Sequence, residues 1–411
     1  MNDSIILEPP GPRSMPAPGR DQTATRVRPV AMPSAGAFAT EWRPLGALQE
    51  ILPAWRLLAA RSSEPNVFYQ PAFALPAAIA FAPDAGAILV WSGPERRTLI
   101  GLFPVRIERH RYGLPFSILA GWTHAFAPLG VPLVDRDAVE PVVDGFLDHV
   151  STDSSLPKVV LLRLIPQDGA FASALDRAIV RRGGRTASFG RHRRALLAPL
   201  ADRGRYLERS VGPRRRKELR RQRRRLQDSG PVTLSTAIAA AEVGPAVADF
   251  LDLEAKGWKG RRGTAAAAQP HVRQFIETAI PALAIDGMAQ VHRLLVGERP
   301  IAAAITFTTA DHAWFFKIAY DESWAWASPG VQLTLDLTAA LLSDRRVDRT
   351  DSCATEDHPM IDHLWRERLC LADRLVAGPD AAAAFACACR LERLRRSAVR
   401  AARGLRDRLR E

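Results

Sequence analysis

The chain has 411 residues and a mass of 45.1 kDa, so at ~150 residues per domain it is long enough for two or three domains. Its 47% hydrophobic and 25% charged residues exclude wholesale disorder, a collagen-like repeat and a disulfide scaffold, and no run of roughly 18 uncharged apolar residues offers a spanning helix. Lysine and arginine number 57 against 44 acidic residues, and the net charge of +13 favours polyanionic partners: nucleic acid, an anionic membrane or phosphorylated ligands.

Residues 1–41 are rich in proline and almost without apolar periodicity. Such a segment cannot bury enough surface to offset its ordering entropy, and a disordered arm is expected. Folded sequence is expected from Trp42, because Leu45, Leu48, Ile51, Leu52 and Trp55 recur at helical spacing. Residues 87–91 and 98–107 read as strands joined by a hairpin-like turn at Ser92-Gly93-Pro94-Glu95. Glycines and prolines punctuate 113–132, which reads as loop; 158–164 is a strand, and a helix over 171–182 ends at Gly183-Gly184.

In the second half, 246–256 reads as a helix closed by Gly257, and a second helix runs from Pro270 to about Ile285. Three strands, 290–296, 301–308 and 313–320, are separated by short turns and predict an antiparallel meander. Ser328-Pro329-Gly330 opens a helix to about Leu342; a strand (349–354), a helix (359–369) and a last strand (371–377) follow. The strand–helix–strand crossover implies a parallel pair with a right-handed connection. The hairpin over 88–105 is echoed over 293–307, which suggests two copies of one fold.

All four cysteines fall between Cys353 and Cys389. Cys387 and Cys389 have no second pair and no nearby histidine, so no metal is expected and small buried thiols in a reducing compartment are. The N-terminus lacks a basic start followed by an apolar run; no secretory signal is visible, and a cytoplasmic location is expected.

Nine of the twelve residues from Arg214 to Arg225 are cationic. Gly212-Pro213 and Gly230 frame the run as a helix in which Arg216 and Arg220, Lys217 and Arg221, and Arg221 and Arg225 lie four apart. Each such like-charge pair costs about 0.2–0.5 kcal/mol. That repulsion points to a nearby anion, a phosphate-bearing ligand or nucleic acid; the plainer alternative is a solvated face anchored by Leu219 and Leu226. A second feature is Trp324–Leu333, where a Gly-containing turn at a helix start presents free N–H groups and the positive end of the helix dipole. Ser328, Pro329, Gly330, Val331 and Gln332 are therefore candidates to hold a pyrophosphate. Lys317, Asp321, Glu322, Asp351 and His358 lie after strands flanking the crossover, where open α/β sheets place ligands. They offer an acid, a base or an anion clamp, with a surface ion pair as the alternative for each. The last segment, 380–411, carries recurrent arginine with a thin apolar stripe at Leu391, Leu394, Ala398, Ala401 and Leu405. It reads as a terminal helix packing lightly on the domain, or as a peripheral anchor on anionic lipid.

Four motifs occur in order: Gly257-Trp258-Lys259-Gly260-x-x-Gly263-Thr264-Ala265, Phe316-Lys317-Ile318-Ala319-Tyr320-Asp321-Glu322, Ser328-Pro329-Gly330, and Asp351-Ser352-Cys353-Ala354 through Trp365-x-x-Arg368. Together they resemble the GNAT-type acetyltransferases associated with cellulose biosynthesis, the CelD-like group, over roughly 210–376. That group is related in turn to the Fem-type peptidyl transferases. The resemblance implies an α/β protein of tandem GNAT-like domains, with mixed sheets and helices on both faces. The domains would be 42–205 and a catalytic 206–378, followed by a basic C-terminal helix, 379–411.

The resemblance further implies transfer from acetyl-CoA or another acyl-CoA to an amine of a sugar-linked or peptide-like acceptor, in exopolysaccharide, cellulose or envelope metabolism. Glu322 or Asp321 would remove the amine proton, and Asp351 joins the catalytic set. N–H groups of a splayed strand would hold the oxyanion, and Lys317 would hold a phosphate or carboxylate. Trp258, Lys259, Tyr320 and His358 would meet the acceptor. Cys353 is not expected to be a nucleophile. In GNAT domains the pyrophosphate loop reads Arg/Gln-x-x-Gly-x-Gly/Ala; here Trp326–Gln332 has one glycine and no basic first residue, and the arginine run would supply the charge if it folds beside the loop. The alternatives are a Fem-type transferase taking an aminoacyl group from tRNA, or a non-catalytic nucleic-acid-binding protein on a transferase scaffold.

Overall fold

The repeated hairpin organises the architecture, because its two copies take equivalent places in two halves of one sheet. The computed structural model describes residues 38–93, 95–199 and 203–408. The first half comprises β1 (Phe38–Pro44), α1 (Leu52–Ala60), α2 (Pro71–Phe81), β2 (Gly86–Ser92), β3 (Thr98–Glu108), β4 (Ile118–Gly121), β5 (Leu133–Val134), α3 (Val139–Thr152), β6 (Val159–Pro166), α4 (Ala170–Arg181) and β7 (Arg185–Leu197). Helices α5 (Tyr206–Ser210) and α6 (Pro213–Gln227) lead into the second half: β8 (Val232–Ala237), α7 (Ala240–Lys256), α8 (Trp258–Arg261), α9 (Pro270–Ile285), β9 (Ala289–Val296), β10 (Arg299–Thr309), β11 (His312–Tyr320), α10 (Pro329–Ser343), β12 (Arg349–Asp351), β13 (Glu367–Ala377) and α11 (Ala382–Arg408).

Among the described residues these strands form one sheet in the order β1-β2-β3-β4-β6-β13-β7-β12-β11-β10-β9-β8, with β5 on β3. The antiparallel meander β9-β10-β11 and the parallel β11–β12 pair around α10 are as the turns predict. Each half gives its last strand to the other. β13 pairs with β6 of the first half, and β7 pairs with β12 of the second. The two exchanged strands run antiparallel to each other along most of their length. The sequence boundary at 205/206 is therefore no break in the sheet. β10 is buried over seven consecutive positions, the signature of a strand covered on both faces.

Several expectations need correction. The chain enters the sheet at Phe38, and Trp42 belongs to β1 opposite Ile88, ahead of the helical turns carrying Leu45, Leu48 and Trp55. The rest of the expected arm, 1–37, lies outside the described residues. The strand expected over 349–354 ends at Asp351, because Cys353 takes a left-handed conformation (φ 53°). No helix forms over 359–369. A short turn at Ile361–His363 lets Trp365 bury, its Nε1–H donating to Thr338 Oγ1 (3.0 Å), and β13 starts at Glu367, long enough to pair with both neighbours. α2 was not foreseen: it is apolar on all sides and packs against α9, so no amphipathic period marks it. In α11 the buried face is Phe385, Ala388, Cys389 and Glu392, whereas Leu394 of the expected stripe is 67% exposed and Ala398 is exposed. The side chain of Leu405 lies outside the described residues. Cys387 is exposed rather than buried. Among the described residues no helix is long and apolar enough to cross a membrane.

Candidate active site

β11 and β12 pair over only three positions, the last being Trp314 opposite Asp351. β11 continues to Tyr320 while the chain turns away after Asp351, so the ribbons diverge. A cavity of about 700 Å³ occupies the opening, with Phe315–Ile318 on one wall and Ser352–Thr355 on the other.

The N-terminus of α10 forms the mouth of this cavity. Ser328 takes a left-handed conformation (φ 52°, ψ 52°) and Pro329 is the first helical residue. The first intrahelical bond runs from Gln332 N–H to Ser328 O (3.0 Å), which leaves the N–H groups of Gly330 and Val331 aimed out of the helix. Ser328, Pro329, Gly330 and Val331 all line the cavity. Gln332 does not; it is buried, and its Nε2–H donates to Leu219 O (2.8 Å), tying α6 to α10. Arg223 pairs with Asp336 (2.9 Å), and the Arg225 guanidinium stacks on Trp326 at 4.8 Å. The arginine helix thus does fold beside the loop. Open N–H donors, a positive dipole end and adjacent guanidinium groups fit a pyrophosphate. A Cβ on Gly330 would sit 3.3 Å from the Tyr320 ring, so the glycine keeps the mouth clear.

Inside, Lys317 lies with Nζ 4.4 Å from the Phe126 ring centroid and 5.5 Å from that of Phe316. Burial, reinforced by the charge of Lys259, lowers its pKa to about 8. Lys259 is held by the buried Glu254 (2.5 Å), which also accepts from Ala266 N–H (2.8 Å). His358 Nδ1 accepts from the N–H groups of Met360 (3.3 Å) and Ile361 (3.4 Å), so the neutral ring carries its proton on Nε2. Burial keeps that ring below its ordinary pKa. The Cys353 thiol is raised well above its ordinary value by burial and by Asp351, so it stays protonated and is a poor nucleophile. Trp258 and Tyr320 stand at the rim, 47% and 37% exposed.

The structure does not bring the three expected carboxylates into this cavity. Glu322 accepts from Trp258 N–H (2.6 Å) and Arg261 Nη2 (2.5 Å) and fixes the turn that carries Trp258. These bonds, Arg261 first, hold its carboxyl below the usual range. Asp321 accepts from Ser323 N–H (2.9 Å) and pairs with Arg299 (2.6 Å), which outweighs its burial and also lowers its pKa. Asp351 is buried against Arg194, at the seam where β7 meets β12. Sequence reasoning missed Glu254, Arg194 and Phe126, and nothing local marks them: each acquires its role from a partner far along the chain or on another element.

The matching opening in the first half is closed by its own chain. β4 and β6 pair only at Leu119–Val160 and Ala120–Leu161. The loop that follows β4 fills the gap: Gly130 N–H donates to Leu164 O (3.2 Å), and a Cβ on Gly130 would fall 2.0 Å from Arg163 O. Tyr69 O–H donates to Trp122 O (2.6 Å), and Trp122, Leu129 and Val131 are buried. The same loop sends Phe126 across to Phe275 (5.6 Å) and Lys317, so the closed half supplies a wall beside the open half's lysine.

Comparison with known proteins agrees with this geometry. No curated protein matches the chain. Among solved structures, FemX is similar at 9% identity and a TM-score of 0.54, covering 79% of this chain and 95% of its own. A C-terminal DUF2156 domain of a protein described as a lysylphosphatidylglycerol synthetase, from Agrobacterium fabrum, is similar at 12% identity and 0.51, covering 82% and 94%. A conserved protein of unknown function from Bacteroides thetaiotaomicron is similar at 10% identity and 0.50, covering 83% and 100%. At these identities the likeness is one of fold. Residues 213–358 match the family model of the acetyltransferase (GNAT) domain, and the chain carries an α/β fold of two GNAT-like halves with the open cavity between diverging strands in the second.

Proposed function

We propose that the second half transfers an acyl group from an acyl-CoA, acetyl-CoA being the simplest donor, to an amine. The observation that carries this reading is the coincidence of three features in one cavity: diverging strands, an unobstructed helix N-terminus and a lysine with its pKa near 8. Gly330 and Val331 N–H groups, with the arginines of α6 nearby, would hold the pyrophosphate of the donor. Bound there, the donor supplies an activated thioester carbonyl. Beyond Trp314, β11 has no paired strand on its β12 side among the described residues, and the alternate N–H groups that face that side, away from β10, are free to donate to the oxyanion. Neutral Lys317 takes the proton released as the amine nitrogen bonds to the carbonyl carbon. It returns that proton to the thiolate when the carbon–sulfur bond breaks, so the lysine is unchanged over one turnover. In this reading Glu322 and Asp321 position the rim instead of acting as bases. Asp351 holds Arg194 rather than joining the chemistry.

Trp258 and Tyr320 offer flat apolar faces to a sugar-linked or peptide-like acceptor, and Lys259 and the Nε2–H of His358 offer donors to its oxygens. An acceptor from exopolysaccharide, cellulose or envelope metabolism rests on the four sequence motifs alone. The test is calorimetric titration with acetyl-CoA, wild type against Gly330→Pro, which removes one mouth N–H at a position already helical. Saturable binding weakened about tenfold by the substitution is expected; absence of acetyl-CoA binding to the wild type overturns the assignment. The outward Arg214, Arg215, Arg220 and Arg224 of α6 favour a second reading, an aminoacyl-tRNA donor. It would show as salt-steep tRNA binding without thermal protection by acetyl-CoA.

A further inference from the structure

α11 lies across the sheet of the first half and covers a cavity of about 820 Å³ lying between the helix, β6, β7 and β13. Its floor is a buried ionic chain. Glu392, fully buried, accepts from Arg111 (3.0 and 3.1 Å) and Arg396 (2.7 Å), Arg111 also reaches Glu108 (2.8 Å), and Arg396 reaches Asp373. Asp373 in turn accepts from Leu164 N–H (2.9 Å). Gly190 opposes it with φ 55°, and a Cβ there would meet the Arg396 guanidinium at 2.2 Å, so a glycine is required for this guanidinium to lie where it does.

That chain already engages Asp373, the one acid among the residues described as lining the cavity. Around it stand Arg163, Arg191, Arg393, Arg395 and Arg400, none with a carboxylate partner among the described residues, and the Nε of Arg163 is buried without a hydrogen-bond partner. Five guanidinium groups with no carboxylate among the described residues to neutralise them repel one another around one concavity; the hydrogen bond to a side chain among them runs from Arg400 to Ser397 Oγ (3.5 Å). They converge from three directions: the end of β6, the bend of β7 and the outer side of α11. A convex stripe of arginine would follow an extended phosphate backbone; a concave, three-sided set of planar donors suits a compact anion with several oxygens.

We propose that this cavity binds a ligand bearing a compact oligophosphate group, a site separate from the diverging strands of the second half. The group presents its oxygens to Arg163 and Arg191 on one side and to Arg393, Arg395 and Arg400 on the other, and binding ties the C-terminal helix to the first half. The structure connects this site to the transfer cavity through β7. Gly190 and Arg191 line the basic cavity, and two residues on, Arg193 N–H donates to Glu356 (3.2 Å) in the loop that follows the Ser352–Thr355 wall.

The experiment is calorimetric and thermal-shift titration of the full chain with inorganic tripolyphosphate, pyrophosphate and ADP at matched ionic strength. The variants are Arg191→Gln/Arg400→Gln and Arg395→Gln/Arg400→Gln, all at outward positions, with folding checked by circular dichroism. Saturable tripolyphosphate binding is expected, weakened about tenfold or more in both variants, with acetyl-CoA titration unchanged. ADP binding as tightly as pyrophosphate assigns the source to a nucleotide; pyrophosphate or tripolyphosphate alone assigns it to a free or lipid-borne phosphate. No saturable binding, binding indifferent to both variants, or a short RNA that outcompetes tripolyphosphate at the same arginines overturns the proposal.

Discussion

Replacing Lys317 by methionine keeps the length of the side chain and removes its charge, which makes it a direct probe of the proposed proton carrier. Burial and the neighbouring Lys259 lower the Lys317 pKa from 10.5 to about 8. Between those two values the unfolded chain holds the proton more tightly than the folded one, so stability rises with pH across that window. At about 1.4 kcal/mol per tenfold change in proton affinity, burying the ammonium costs at most about 3.5 kcal/mol below pH 8 and less than about 1 kcal/mol at pH 10. Lys317→Met should therefore raise the urea unfolding free energy more at pH 7 than at pH 10, by about 2–3 kcal/mol. Packing differences between the two side chains are common to both pH values and cancel in that comparison. In wild type, acyl transfer should climb with pH and level off near pH 8, and the variant should lose that limb together with about 10²–10⁴ in rate. A stability gain equal at both pH values, or a variant that keeps the wild-type pH profile, refutes the reasoning.

Glu322→Gln and Asp321→Asn should retain turnover within about tenfold and keep the pH profile; steady-state kinetics showing either as crippled as Lys317→Met would return the base to a carboxylate. Asp351→Asn leaves Arg194 buried without its counter-charge and should cost about 3–5 kcal/mol, whereas Arg194→Met/Asp351→Leu should cost less in chemical denaturation. A double variant worse than the single contradicts that pairing. His124 packs against Phe73 and Phe81, and burial lowers its pKa to about 3. A histidine kept neutral in this way loses stability as pH falls below 6.5, by ~2 kcal/mol at pH 5. His124→Leu should flatten the pH 7-to-5 stability difference by that amount in urea titrations; an unchanged slope rules the histidine out.

Features written into short stretches were legible. Ser328-Pro329-Gly330 announces a helix start because proline fits the first helical position and cannot miss an N–H there. The hairpin turns and the crossover around α10 follow from local punctuation, and they were enough to place the mouth of the cavity. The carboxylates were not legible in the same way. Asp321 and Glu322 sit beside the site in sequence, yet their charges are engaged by Arg299 and Arg261, which only the folded turn brings near. Helix 359–369 failed because Trp365 finds a deep pocket against Thr338, and tertiary burial outweighed a helical pattern of modest strength.

By itself, the amino-acid order determined the elements whose hydrogen bonds close within a few residues, their repetition in two halves, the strongly cationic helix α6 and the N–H-rich turn before α10. Only the tertiary structure decided that the halves trade their last strands, that the first opening is filled while the second stays open, and that Lys317 is a half-buried, easily neutralised amine. The physical reason is range: turns and caps are settled by nearest neighbours along the chain, whereas burial and charge pairing depend on groups such as Phe126, Arg194 and Glu254 that are distant in sequence or on other elements and meet only once the sheet has formed.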